Sequence, residues 1–246
     1  MMFAALANTV PLSFWLICNI FADEHLLSQI RLELDKCITQ IGKKATINAT
    51  KLKRECPLLL STTRETLRTA AYLNVNRFVL EDTTLSNSST GESYTVKKGS
   101  MVQIATSVIH NQTSAYGETA LRFDPRRFMT NEEKAGGSED GQYEDKNTAD
   151  ISRPTSLGSK RNAFRPFGGG YNLCPGRHFA QTEIMALAAL FVAGFEIRDG
   201  KTGGAFLPPP REGLKVLQGV IKPKCDVEVS IRRREGFESV EWTFEV

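Results

Sequence analysis

The sequence predicts a mainly α-helical fold that carries small β-sheets. Two observations lead there. Four segments place apolar residues at helical spacing or open on helix-start residues. Between and after them, short tracts alternate apolar with other residues over only a few positions. No segment repeats at a fixed period. With 246 residues, 41% hydrophobic and 24% charged, the chain can bury a sizeable core. That composition excludes collagen, a wholly disordered chain and a small disulfide scaffold. The net charge of +3 is too near neutral to argue for a nucleic-acid partner.

The first 22 residues are mostly apolar and end at Asp23 and Glu24. A buried helix, a signal peptide and a membrane span all fit that description. A signal peptide wants a basic start, and no Lys or Arg precedes Arg31. Asn8, Thr9, Pro11 and Asn19 interrupt a span of about 20 apolar residues. A buried helix is therefore the expectation. Asp23 can cap a second helix, with Leu26, Leu27, Ile30 and Leu34 on one face, running over 23–37. Pro57 suits a first helical turn and predicts a third helix over 57–71.

Leu73, Val75, Arg77 and Val79 then alternate as on one face of a strand. Segments 94–96 and 101–104 flank a Lys-Lys-Gly-Ser turn and predict a hairpin. Residues 131–150 hold seven acids, two lysines and three glycines, which predicts an exposed, flexible acidic insertion. A last helix is expected over 175–193, stopped by Gly194. Val227, Val229 and Ile231 predict a half-buried strand in a second small sheet.

Five cysteines occur, at 18, 37, 56, 174 and 225. None lies two to four residues from another, so there is no zinc knuckle. An odd number without a clear secretory signal reads as reduced thiols. Cys174 has a distinctive setting, the run Phe-Arg-Pro-Phe-Gly-Gly-Gly-Tyr-Asn-Leu-Cys-Pro-Gly-Arg over 164–177. Taken alone, a buried inert thiol is the commoner reading. Here Pro175 puts the cysteine at a helix start, where unpaired amides and the dipole favour a thiolate. The glycines let backbone approach a flat cofactor. Amides near the sulfur would tune a bound metal. A phosphate-binding glycine loop is the rival, but the Gly-Lys-Ser/Thr ending is missing.

Phe167, Gly170, Cys174 and Gly176 match the Phe-x-x-Gly-x-x-x-Cys-x-Gly haem-binding signature of the cytochrome P-450 superfamily. With average residue usage, four such matches arise by chance in on the order of one chain in a thousand. Independent matches accompany them. Glu65-Thr66-Leu67-Arg68 resembles the family's Glu-x-x-Arg helix, although a solvated ion pair is the ordinary reading of such a pair alone. Phe123-Asp124-Pro125-Arg126-Arg127-Phe128 resembles its Phe-x-Pro-Glu-Arg-Phe turn. These motifs come in the family's order. The resemblance implies a buried Glu65–Arg68–Arg127 structural cluster behind the haem. It also implies haem b with Cys174 as axial ligand, and a cofactor-binding set of Phe167, Gly168, Gly170, Cys174 and Gly176.

The first helix resembles the family's central oxygen-binding helix. Ala7 then stands at the usual acid, Asn8 at the usual threonine, and Thr9 one residue late. Asn8 and Thr9 are the catalytic candidates. Pro11 has no amide, so the Ala7 carbonyl loses its helical partner and a kink is expected. The basic residue usually found two before the cysteine is Asn172. Arg77 is the candidate replacement for that haem-propionate contact. His110 is another, with a structural histidine as the simpler reading.

The whole chain, 1–246, thus resembles a partial domain, the C-terminal half of the cytochrome P-450 fold, as in a fragment or a truncated gene. The Asn-Thr-x-Pro segment resembles the branch of steroid 7α-hydroxylases and prostacyclin synthase, and the cysteine loop resembles fungal members. The implied function is a haem-thiolate monooxygenase. Its partners would be molecular oxygen, a small lipophilic substrate and NADPH-cytochrome P-450 reductase, with Arg165, Arg177 and His178 as basic contacts. Full-length members would sit at the endoplasmic reticulum membrane. A haem-thiolate isomerase or dehydratase acting on a peroxide fits Asn8 as well. A non-catalytic fragment unable to hold haem is the third reading.

Overall fold

The structure, a computed structural model, describes residues 2–88, 90–130, 162–212 and 219–245. Helix α1 (Met2–Phe21) leads into α2 (Glu24–Leu34), the strands β1 (Ile38–Ile41) and β2 (Lys44–Asn48), α3 (Ala49–Glu55) and α4 (Pro57–Ala70). Short strands follow: β3 (Ala71–Tyr72), β4 (Asn74–Phe78), β5 (Thr83–Ser86), β6 (Ser93–Val96) and β7 (Met101–Ala105). Two one-turn helices, α5 (Thr106–Ile109) and α6 (Thr113–Tyr116), come next. Beyond the cysteine loop lie α7 (Arg177–Gly194), β8 (Phe195–Asp199), β9 (Gly219–Val220), β10 (Val229–Arg233) and β11 (Glu241–Glu245). The acidic insertion expected at 131–150 lies outside the described residues.

Helices α1, α2, α4 and α7 pack on one another and enclose the core. Leu12, Trp15, Leu16 and Ile20 come from α1, Ile30 from α2, Leu59 and Leu67 from α4, and Ala188 and Val192 from α7. Each large side chain buried this fully contributes about 1.5–3 kcal/mol. The expected buried first helix is thus observed, and it runs as one element through Pro11. Among the described residues no single helix is long and apolar enough to cross a membrane, and α1 meets α2 at 109°.

Helix α4 is buried on every side from Leu58 to Ala70, although most of that stretch is polar. Its hydroxyls solve the problem locally. Thr62, Thr63, Thr66 and Thr69 each donate to the carbonyl four residues back, at 2.7–2.9 Å. Its N-terminus has no side-chain cap of its own. Instead the Glu33 carboxylate of α2 accepts from the Leu58 and Leu59 amides, at 2.8 and 3.0 Å.

Several expectations need correction. Asp23 does cap α2, accepting from Leu26 N at 2.9 Å, but the helix ends at Leu34 rather than Cys37. The chain turns there so that β1 can pair with β2. The last helix begins at Arg177 rather than at Pro175. The predicted hairpin is not formed: the turn is there, with Gly99 at φ 83°, but β6 pairs with β5 and β7 with β4. The Asp82 carboxylate holds Lys97 and the Lys98 amide, which ties that turn to the chain end of β4 rather than closing a ribbon. The expected C-terminal strand is β10, and its antiparallel partner is β8.

Candidate functional site

The most buried charge cluster lies at the C-terminal half of α4. Glu65 and Arg68 are three apart on the helix and fully buried. Arg68 grips the carboxylate in a two-point contact, Nε to Oε2 at 2.7 Å and Nη2 to Oε1 at 2.6 Å. Arg127 adds Nε at 3.1 Å from both oxygens, and the Asp124 amide donates to Oε1 at 3.0 Å. One carboxylate thus faces two guanidiniums. The remaining donors go to backbone oxygens, apart from one from Arg127 Nη1 to Thr119 Oγ1 at 3.2 Å. Arg68 Nη1 bonds His110 O and Ala120 O, and Arg127 bonds Tyr116 O, Thr119 O and Arg122 O. Arg68 also lies 5.0 Å from the Tyr116 ring centroid, a cation–π contact. With every donor used, this buried network stitches 110–127 onto α4.

The cysteine loop is braced from the same side. Phe164 and Phe167 are buried, and Phe164 packs on Phe128 at 4.9 Å between centroids. Gly168 and Gly170 adopt φ 78° and 64°, left-handed values that glycine takes without strain. A short 3-10 turn, Gly170–Asn172, leads to the cysteine. The Cys174 amide donates to Phe167 O at 3.1 Å, and the Leu173 amide to Gly170 O. Cys174 itself is half-buried and free, and Gly176 precedes α7 with open space where a side chain would sit.

Arg77 of β4 reaches this loop and donates to Gly169 O at 2.5 Å. A Cβ on Gly170 would lie 3.5 Å from its Nη2. The structure therefore brings Arg77, Phe167, Gly168, Gly170 and Cys174 together. His110 does not join them as an exposed basic group: it is fully buried, and burial lowers its pKa from 6.5 to about 3. The Arg68 charge lowers it further, while a hydrogen bond to the Arg68 carbonyl opposes both. Arg177 Nη1 lies 3.3 Å from Cys174 O, Arg165 Nε bonds Asn162 O, and His178 is exposed.

On α1, Thr9 is buried and Asn8 is exposed. Asn8 Oδ1 would stand 3.3 Å from a Cβ at Gly219, so the glycine of β9 makes room for it. Helix α1 packs directly on α7, the helix that follows the cysteine. Trp15 of α1 donates to Ile221 O at 2.7 Å, which holds the β9 segment in place.

The donor set suits a metal that brings most of its own ligands. Among the described residues no three His, Cys, Asp or Glu side chains converge as a metal cage. One half-buried thiol stands in a loop whose glycines leave the backbone bare. A macrocyclic iron needs only one such axial ligand. Residues 167–177 and Arg77 fit that group.

Sequence reasoning passed over two parts of this frame. Glu33 caps α4 from 25 residues away, and no local pattern announces it. His110 reads from the sequence as a propionate contact or a core residue, yet it touches both the cluster and the loop.

Comparison with known proteins agrees with the motifs. The family model described as "Cytochrome P450" matches residues 1–219. A cytochrome P450 monooxygenase of Gibberella zeae is 32% identical over 97% of this chain and 43% of its own length. A 25-hydroxycholesterol 7-alpha-hydroxylase of Rattus norvegicus is 29% identical over 80% of this chain and 44% of its own length. Cytochrome P450 7A1 of Oryctolagus cuniculus is 28% identical, over 92% and 43%. The chain therefore spans less than half the length of these curated relatives.

Proposed function

Given that the chain belongs to the cytochrome P450 family, we propose that it supplies the C-terminal, cysteine-ligand half of a haem-thiolate monooxygenase fold. The observation that carries this reading is Cys174, free and half-buried at the head of α7, in a glycine loop tied to Arg77. The group these residues would hold is haem b, bound through the Cys174 thiolate. When bound, it supplies the activation of molecular oxygen, which a thiolate ligand assists. Phe167, buried and bonded through its carbonyl to the Cys174 amide, would help hold the loop in shape around the sulfur. Arg77 and the loop backbone offer positive charge and bare amides to the cofactor's acidic edge. Asn8 and Thr9 orient water on α1 and pass protons along it without ionising. Arg177 and His178 belong to the face that receives electrons from NADPH-cytochrome P-450 reductase. The substrate is a small lipophilic molecule, and the 7-alpha-hydroxylase among the relatives makes a sterol the first candidate. The full protein would work at the endoplasmic reticulum membrane.

The test needs no substrate. Haem-loaded protein is mixed with NADPH and reductase under carbon monoxide, beside a sample reduced by dithionite. A monooxygenase gives the carbonyl spectrum in both. A spectrum with dithionite alone contradicts the proposal and favours the peroxide isomerase, which needs no reductase and which Asn8 also suits. A second reading, a chain that carries the motifs without retaining haem, draws on exposed apolar side chains. Val10, Phe179 and Leu207 are 54%, 65% and 74% exposed. Absence of the spectrum in both samples favours it.

A further inference from the structure

His110 is the C-cap of α5 and has no solvent exposure. Its ring touches backbone on two sides. The Arg165 amide donates to Nε2 at 3.0 Å. That nitrogen must then be unprotonated, so Nδ1 carries the hydrogen and donates to Arg68 O, also at 3.0 Å. The ring stacks on Phe164, with centroids 5.8 Å apart and planes 27° apart. Arg68 is held by Glu65, and its Nη1 returns to the His110 carbonyl at 2.6 Å.

The path continues into the loop. Arg165 O accepts from the Gly168 amide at 3.2 Å, and Phe167 O accepts from the Cys174 amide at 3.1 Å. One imidazole therefore joins the buried ion cluster of α4 to the segment that carries the sulfur. Losing the Nε2 contact would free the Arg165 amide at the point where the loop enters. Losing the Nδ1 contact would affect only the end of α4, which Glu65, Arg127 and Arg211 hold by other bonds.

We propose that His110 is a positioning residue for the Cys174 ligand, acting through its Nε2 acceptor on the Arg165 amide. This inference rests on the haem-thiolate reading above. Two polar substitutions separate the two ring nitrogens. In His110→Gln the side-chain oxygen reaches where Nε2 was and can accept from Arg165. In His110→Asn the amide nitrogen stands where Nδ1 was, and nothing reaches Arg165.

The readouts on the haem-loaded protein are the carbonyl Soret position and the reduction potential, with a thermal melt beside them. His110→Gln is expected to keep the wild-type band and potential. His110→Asn is expected to shift the balance from thiolate-type to displaced band about tenfold, the effect of one unmet donor. Its melting temperature should match that of His110→Gln. Equal spectra for the two variants, unchanged or lost together, would overturn the proposal. If neither variant folds, nitrogen NMR of the wild-type ring decides. A proton on Nδ1 with slow exchange at the Arg165 amide upholds the link, whereas a proton on Nε2 or fast exchange breaks it. If wild type shows no thiolate band, the underlying haem-thiolate reading fails and the proposal with it, whatever the ring's tautomer.

Discussion

Glu65 shows how a charge is kept in a helix buried on every side. It accepts from Arg68, Arg127 and the Asp124 amide, and the two guanidiniums spend their other donors on carbonyls and the Thr119 hydroxyl. Replacing one partner of such a pair leaves uncompensated charge, which costs about 3–5 kcal/mol. Glu65→Gln should lower the unfolding free energy by that amount, read by urea denaturation. His110 gives a pH prediction. Its folded pKa is depressed to about 3 from 6.5, chiefly by burial. Between those values the unfolded chain takes a proton that the folded chain refuses. Stability due to the neutral ring is therefore complete above pH 6.5 and is lost as pH falls toward 3. The slope is about 1.4 kcal/mol per pH unit. Subtracting the profile of His110→Gln from that of wild type isolates it, and a flat difference would contradict the burial argument. The sequence makes the Glu65–Arg68 spacing legible because three residues on a helix share a face. It does not reveal Arg165 meeting His110, because that contact is between backbone and a ring 55 residues apart.

Helices were legible where their ends carry local chemistry. Asp23 caps α2 and Pro57 opens α4, each within one turn, whereas Gly194, expected to stop α7, is its last helical residue and the extended Phe195 is the C-cap. Strands were less so. β5 and β6 are short and almost wholly exposed, and β7 is only partly buried, so burial alternation does not choose a partner for them. The hairpin of β1 and β2 and the short α3 passed unnoticed, as did β8 and β11, whose partners lie 30 or more residues away. The α4 N-terminus is an element-scale device with the same problem. Glu33 holds two of its free amides, next to a proline that has none. Glu33→Ala should cost about 1–2 kcal/mol. Hydrogen exchange should localise the loss to the first turn of α4. Uniform loosening of α2 instead would place the effect elsewhere.

At the scale of the whole molecule, the C-terminal strand returns to the first fifth of the chain. β11 runs parallel to β2, and Thr243 and Thr46 share a hydrogen bond at 2.9 Å. Trp242 lies over Gly194 at the end of α7, stacked on Phe237 at 5.6 Å. A Cβ on Gly194 would stand 3.0 Å from that indole, so Gly194→Ala forces the ring away. The overpacking should cost about 1–3 kcal/mol in a thermal melt. An unchanged melt would mean the C-terminal strand contributes little. Helix α7, which follows the cysteine loop, packs directly against α1. Under the proposed reading, the cysteine loop, the α4 cluster and α1 form one frame that would present the sulfur of Cys174 to the haem. The carbon monoxide difference spectrum of the reduced, haem-loaded protein tests that most directly. Wild type should give the red-shifted Soret band of a thiolate ligand, and Cys174→Ala should abolish it. A red-shifted band that survives Cys174→Ala, or haem bound by wild type without that band, would contradict the account.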